Sequence, residues 1–229
     1  HEGAIRSAVF SPSGALVLTA SSDKTARLWF PFNHQPHVFR GHTYRVRSAV
    51  FSPDGWAILT ASDDKTARLW SVLSGQVITA LKGHENWVSA AVFSPNGRLV
   101  VTGSLDGTAR IWDVVSGHEL RVLQGHEDRV TSVEFSPDGT MVVTTSWDYT
   151  IRLWDASTGM RLHILRGDEY MVTTAVFSPD GTRLLTASHG RSIRLWDVAT
   201  GREIHNVHGH QGRINSAAFS PDGARLLTA

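Results

Sequence analysis

The sequence predicts an all-β fold of repeated four-stranded antiparallel sheets, and three observations carry that expectation. A Ser-Pro-x-Gly block stands six times, at residues 11–14, 52–55, 94–97, 136–139, 178–181 and 220–223, with its prolines 41 and then 42 residues apart. Each interval holds four short β-prone runs separated by turn residues. The first run is rich in small residues, as at Ser48-Ala49, Ser89-Ala90 and Ser216-Ala217, while bulkier residues stand in the later ones. A period of about 40–45 residues marks a β-propeller assembled blade by blade. The small-to-large gradient suits a wedge that tapers towards an axis.

The repeat at 84–125 shows each element. Residues 87–93 form a short apolar run that meets Ser94-Pro95-Asn96-Gly97. Proline presets φ and glycine supplies positive φ, so the block is a turn. Leu99, Val100, Val101 and Thr102 give the next run its β-character. Leu105-Asp106-Gly107 turns the chain, and Thr108 to Trp112 is a third strand in which Arg110 alternates with Ile111. Ser116-Gly117 turns it again, and 119–124 has the period of two of a fourth strand. One such sheet cannot bury both faces, so each repeat needs its neighbours.

Gly125-His126, Ser136 to Gly139, Ser146 to Thr150 and Trp154-Asp155 reproduce a known pattern: Gly-His, Ser-Pro-Asp-Gly, Ser-x-Asp-x-Thr, Trp-Asp. On these motifs the chain resembles the WD40-repeat family, in the tandem form of bacterial arrays, over nearly its whole length. The resemblance implies one β-propeller region over 1–229. It has five complete repeats, 1–41, 42–83, 84–125, 126–167 and 168–209, and a partial sixth at 210–229. The last stops inside its second strand, so the expectation is a piece of a larger, signalling-type protein. The half-built blade, with Leu226 and Leu227, is expected to invite self-association.

Composition narrows the function. With 41% hydrophobic and 19% charged residues and a net charge of +1, no global field draws the chain to nucleic acid or membrane. The absence of cysteine removes disulfides and thiolate metal sites and fits a cytoplasmic setting. No run approaches the roughly 18 apolar residues of a membrane span. Walker-type loops, His-Glu-x-x-His and Gly-x-Ser-x-Gly are missing. His34-x-x-His37 and His205-x-x-His208-Gly-His210 have metal-like spacing, but no acidic or Cys ligand completes either, so neither metal nor cofactor is expected. Arg27, Arg68, Arg110, Arg152 and Arg194 recur at one repeat position and read as structural.

The family resemblance implies a structural tetrad of His, Thr, Asp and Trp. It falls on His1, Thr19, Asp23 and Trp29; His42, Thr60, Asp64 and Trp70; His84, Thr102, Asp106 and Trp112; and His126, Thr144, Asp148 and Trp154. A Thr-His-Asp set imitates a hydrolase triad, but catalytic sites do not come four to a chain. The fifth repeat departs, with Asp168 in place of His and Gly190 in place of Asp; drift after the loss of one partner accounts for this, and the alternative is a remodelled binding loop around His189 and Arg191. The first repeat departs at Trp29-Phe30-Pro31-Phe32-Asn33.

The resemblance also implies a partner face carried by three positions per repeat: three and five residues after the histidine, and the residue before the turn Asp. They read Ala4, Arg6 and Ser22; Arg45, Arg47 and Asp63; Trp87, Ser89 and Leu105; Arg129, Thr131 and Trp147; Met171, Thr173 and His189; and Arg213 and Asn215. Arginine and tryptophan on a fixed scaffold make a hot-spot composition. The expected function is a non-enzymatic protein-interaction scaffold or sensor that binds a protein or peptide, acidic in character. The alternative is a nucleic-acid- or phosphate-binding module using the arginines.

Overall fold

The computed structural model describes residues 1–31, 33–167, 170–190, 192–208, 210–214 and 216–229, without the side chains of Asn33 and His34. All regular structure among these residues is strand. The first three sheets are β1 (Ile5–Phe10), β2 (Val17–Ser21), β3 (Ala26–Phe30) and β4 (Asn33–Phe39); β5 (Val46–Phe51), β6 (Ala57–Ser62), β7 (Thr66–Ser71) and β8 (Val77–Lys82); and β9 (Val88–Phe93), β10 (Leu99–Ser104), β11 (Thr108–Asp113) and β12 (Glu119–Gln124). Two more follow: β13 (Val130–Phe135), β14 (Met141–Ser146), β15 (Thr150–Asp155) and β16 (Arg161–Arg166); then β17 (Val172–Phe177), β18 (Arg183–Ser188), β19 (Ser192–Asp197) and β20 (Glu203–His208). A hairpin of β21 (Ala217–Phe219) and β22 (Leu226–Thr228) ends the chain. Every four-stranded sheet is an antiparallel meander in sequence order.

The strands divide into two compact units, His1–Asp106 with Arg110–Val122, and Gly107–Ala109 with Leu123–Ala229. In each, the core lies between successive sheets. Leu18, Leu28 and Phe39 of the first sheet meet Val46, Ala49, Ile58 and Trp70 of the second. Leu59, Leu69 and Leu81 then meet Val88, Val100 and Trp112. In the second unit Ile151, Leu153 and Leu165 meet Val172, Leu184 and Trp196. Each fully buried Leu or Ile contributes about 2 kcal/mol, and none of it is available to an isolated sheet.

Every letter of the Ser-Pro-Asp-Gly block has a task. Ser52 Oγ donates to Asp54 Oδ1 and accepts from Ala57 N at 2.9 Å, while Trp56 N donates to Asp54 at 3.1 Å. Gly55 takes φ 77°, which closes the turn. First strands, having no sheet neighbour on one side, are tied by side chains. Ser7 Oγ accepts from Ala49 N at 3.2 Å, and Thr173 Oγ1 donates to Ile214 O at 2.9 Å.

A bulge recurs at the start of the first strand of each four-stranded sheet. Val46 pairs with Ser62 and Ser48 with Ala61, so Arg47 is the extra residue. Arg6, Ser89, Thr131 and Thr173 occupy the same place in their sheets. A bulge re-aims the side chain it carries. Here it turns one residue per sheet towards the end where the second-to-third-strand turns and the sheet-to-sheet connections lie.

Candidate recognition surface

Backbone hydrogen bonds join two of the three predicted positions in every sheet. Ser22 N donates to Ala4 O, Asp63 N to Arg45 O, Leu105 N to Trp87 O, Trp147 N to Arg129 O and His189 N to Met171 O, at 2.9–3.0 Å. The bulged residue supplies the third. The positions therefore form one small cluster per sheet, although they lie up to 18 residues apart in the chain.

Within the first unit, Arg47 Nε donates to Asp63 Oδ1, and its guanidinium stacks over Trp87 of the next sheet, 4.9 Å from the ring centroid. Trp87 is 41% exposed. Arg6 Nε donates to Ser22 Oγ at 2.8 Å. Arg45 is exposed and Leu105 half-buried. Asp63 is buried, so Arg47 serves as its counter-charge as well as facing outward.

Within the second unit, Arg129 lies 4.6 Å over Trp147, itself 38% exposed. Tyr170, His189, Gly190, Gly212 and Arg213 line a cleft of about 540 Å³ at the same end of the fifth sheet. Met171 is half-buried. Thr173 Oγ1 shares its proton between Ala187 O and Ile214 O, Thr131 Oγ1 lies 2.8 Å from Thr145 Oγ1 and 3.2 Å from Thr145 O, and Ser89 Oγ in the first unit donates to Gly103 O. At the bulge position, then, arginine reaches outward and a small hydroxyl residue turns back to the sheet. Asp168, Arg191 and Asn215 lie outside the described residues, as does Phe32 of the irregular first repeat.

The tetrads are directional hydrogen-bond chains. Trp70 Nε1 donates to Thr60 Oγ1 at 2.8 Å, Thr60 Oγ1 lies 2.7 Å from His42 Nε2, and His42 Nδ1 lies 2.7 Å from Asp64 Oδ2. The Asp64 carboxylate can only accept, so the ring proton sits on Nδ1, and in the neutral ring Nε2 accepts from the Thr60 hydroxyl, which itself accepts from the indole. Asp64 also accepts from Thr43 N, Thr66 N and Thr66 Oγ1. Burial acts to raise the Asp64 and Asp148 carboxyls, but hydrogen bonds from His42 and Thr66, and from His126 and Thr150, outweigh it and hold both well below the usual range. His1, Thr19, Asp23 and Trp29 repeat the geometry, as do His84, Thr102, Asp106 and Trp112, and His126, Thr144, Asp148 and Trp154. Thr60, Thr102 and Thr144 have no exposed surface, and a hydroxyl that no substrate reaches is not a nucleophile.

Two of the recurring arginines brace these chains, and two more tie the third strand to the fourth. Arg27 lies 3.5 Å from Asp23 and Arg152 3.7 Å from Asp148, while Arg110 and Arg194 pair with Glu119 and Glu203 on the fourth strands. Gly41 is glycine because a Cβ there would stand 2.7 Å from Arg68 Nη1 and 3.1 Å from Trp70 Cη2. Of the spaced histidines, His205 and His208 are exposed on β20 and His37 sits in β4, while the His34 side chain lies outside the description.

In the fifth sheet Trp196 Nε1 still donates to Thr186 Oγ1 at 2.9 Å, but Gly190 offers no carboxylate to its turn. His189 and Gly190 are expected to exchange their amide protons faster than Leu105 and Asp106. Leu105 N and His189 N make the same backbone bond, and the Asp106 carboxylate additionally accepts from His84 and Glu85 N. Equal protection by hydrogen-exchange mass spectrometry would contradict this.

One charged group escaped the sequence reading. Glu134, on β13, stands where the other first strands carry Val9, Val50, Val92, Val176 and Ala218. It packs against β17, and burial pushes its carboxyl up to about 7, only partly offset by a hydrogen bond from Phe177 N. Its signal was present in the sequence as a single glutamate in a column of small apolar residues.

The family model "WD domain, G-beta repeat" matches six times, at residues 1–29, 33–71, 75–113, 117–155, 159–197 and 201–229. Each internal match begins at or just before the fourth strand of one sheet and ends on the third strand of the next, so the sequence repeat is offset from the structural one by a strand. No curated protein matches the chain. Proteins built from these repeats generally mediate protein–protein interactions and are typically non-enzymatic scaffolds. With six registered matches over most of its length, five antiparallel four-stranded sheets and a final hairpin, the chain belongs to the WD40-repeat family of β-propeller blades.

Proposed function

We propose that this chain is a non-enzymatic peptide-recognition module whose anchors are the stacked arginine–tryptophan pairs, one in each unit. The observation that supports this most directly is the stacking itself, Arg47 over Trp87 and Arg129 over Trp147. A guanidinium already held over an indole gives up little side-chain freedom on binding, and its outer N–H groups suit a carboxylate. The ring offers apolar area beside it. The favoured ligand is an acidic segment with an aromatic or aliphatic neighbour, and the exposed Arg45 and Arg213 extend the basic surface.

Arrays of acidic peptides probed with wild type and with Trp87→Ala and Arg129→Ala/Trp147→Ala variants test this. The double variant is expected to weaken binding by about 2 kcal/mol or more. Arg47 is a poor choice, because its removal leaves the buried Asp63 without its cation. Undiminished binding by both variants, or a preference for oligonucleotides with steep salt dependence, would overturn the proposal. A further reading, self-association, draws on the exposed Ile5, Phe10, Leu226 and Leu227, and light scattering over a concentration series checks it.

A further inference from the structure

At the other end of the fourth and fifth sheets, where the first-to-second-strand turns lie, a crevice of about 740 Å³ opens between them. Pro137 and Pro179 form its walls, and Met141, Leu162 and Val198 line it with apolar surface. Asp138, Asp180 and Asp197 stand around it, and His163 is the one basic side chain in the lining, tied by Nε2 to Ala199 O at 3.1 Å. Leu162 is 45% exposed, so the apolar lining is open to a ligand.

The repeat supplies its own comparison. The corresponding acidic positions are Ser13, Asp54 and Ser71 between the first and second sheets, and Asp54, Asn96 and Asp113 between the second and third. Met141 corresponds there to Leu16 and Ala57. Only the crevice between the fourth and fifth sheets combines three carboxylates with an unbranched, adaptable methionine. The turns do not demand this set, since serine and asparagine hold the same turns elsewhere.

The carboxylates are kept charged. Hydrogen bonds from Ser178 and Thr182 bring Asp180 down to about 2, and those from Ser136 and Thr200 lower Asp138 and Asp197. On Asp180 and Asp197 the turn bonds fall on Oδ1, which leaves Oδ2 to accept from a ligand.

We propose that this crevice is a second docking site, distinct from the arginine–tryptophan surface, for a peptide segment that presents a basic side chain beside an aliphatic one. Charge complementarity selects the cation, and the apolar lining selects its neighbour. A small cation alone has no use for Met141 and Leu162, and an aliphatic segment alone makes no use of the three carboxylates.

Methyl NMR on the 229-residue chain, titrated with capped Arg-Leu-Arg and with capped Glu-Leu-Glu, tests the assignment. Shifts are expected at the Met141, Leu162 and Val198 methyls with the basic peptide only. Asp180→Asn/Asp197→Asn keeps the Oδ1 acceptors of both turns and is expected to weaken binding at least tenfold. Leu162→Lys, on an exposed outer strand where folding is not at stake, is expected to abolish it. Trp147→Ala should leave the titration unchanged, which separates this site from the first surface. Equal response to both peptides, shifts centred on Trp87 or Trp147, no response at millimolar peptide, or full affinity in Leu162→Lys would each overturn the proposal.

Discussion

Replacing Asp64 by alanine is expected to cost about 3 kcal/mol of stability, read as a lower urea midpoint with an unchanged far-ultraviolet spectrum at low urea. The carboxylate accepts from His42 Nδ1, Thr43 N, Thr66 N and Thr66 Oγ1 at 2.6–3.1 Å. The His42 side chain is 1% exposed and that of Asp64 5%. Water therefore does not replace the lost acceptor, and the imidazole N–H and the Thr66 hydroxyl keep their desolvation cost without compensation. The misdirected ring then loosens its bond to Thr60 and, through it, to Trp70. Asp54→Ala is the control. That carboxylate also organises a turn, but an exposed one, and about 1 kcal/mol is expected. Similar costs for the two would show that the tetrad's burial carries no special weight.

The same group gives the chain an acid limit. A carboxyl whose folded pKa lies below its ordinary value adds stability that is fully present above that ordinary value and lost as pH falls through the folded one. Asp64 and Asp148 both lie in this direction, so wild type weakens below about pH 4. The Asp64→Ala chain should show a shallower loss over that range.

Much of this was legible because the repeat writes each structural need four to six times. The turn block, the tetrad and the recurring arginine stand at fixed spacing because each closes a contact between fixed strand positions. The Asp63–Arg47 pairing has the 16-residue separation of Ser22–Arg6, so repeat register alone places the two side chains together. What register does not reveal is how a side chain divides its bonds. Arg47 reads as an outward cation, and the structure shows it half committed to a buried carboxylate. Ser89, Thr131 and Thr173 read as recognition residues, and the structure shows their hydroxyls bonded back to carbonyls of their own sheets. The acidic crevice was illegible for another reason. Its carboxylates belong to turn motifs that look the same one repeat at a time, and only the pairing of adjacent sheets brings Asp138, Asp180 and Asp197 around one apolar patch.

Glu134→Val is expected to stabilise the protein at pH 8 by about 3 kcal/mol and to have little effect near pH 4.5. Glu134 occupies a valine position of the repeat, packed against β17, and its carboxyl is raised from 4.5 to about 7. An acid with a raised folded pKa binds more protons folded than unfolded between those values. Its stability contribution therefore falls as pH rises through the window, and the cost persists in full above it. No other ionisable side chain stands on β13, β14 or β17, so no neighbouring charge on these strands offsets it. Phe177 N donates to the carboxylate, but one amide does not replace the lost hydration. Urea denaturation of both proteins at pH 4.5, 6 and 8 measures the difference and cancels the titration of every group they share. This window lies above the range in which Asp64 and Asp148 act, so the two effects are read separately. A constant gap between wild type and variant across the three pH values would show that Glu134 is ionised in the folded chain at no cost. The predicted result is a gap that opens with pH, because a single residue departs from the apolar column that every other first strand keeps.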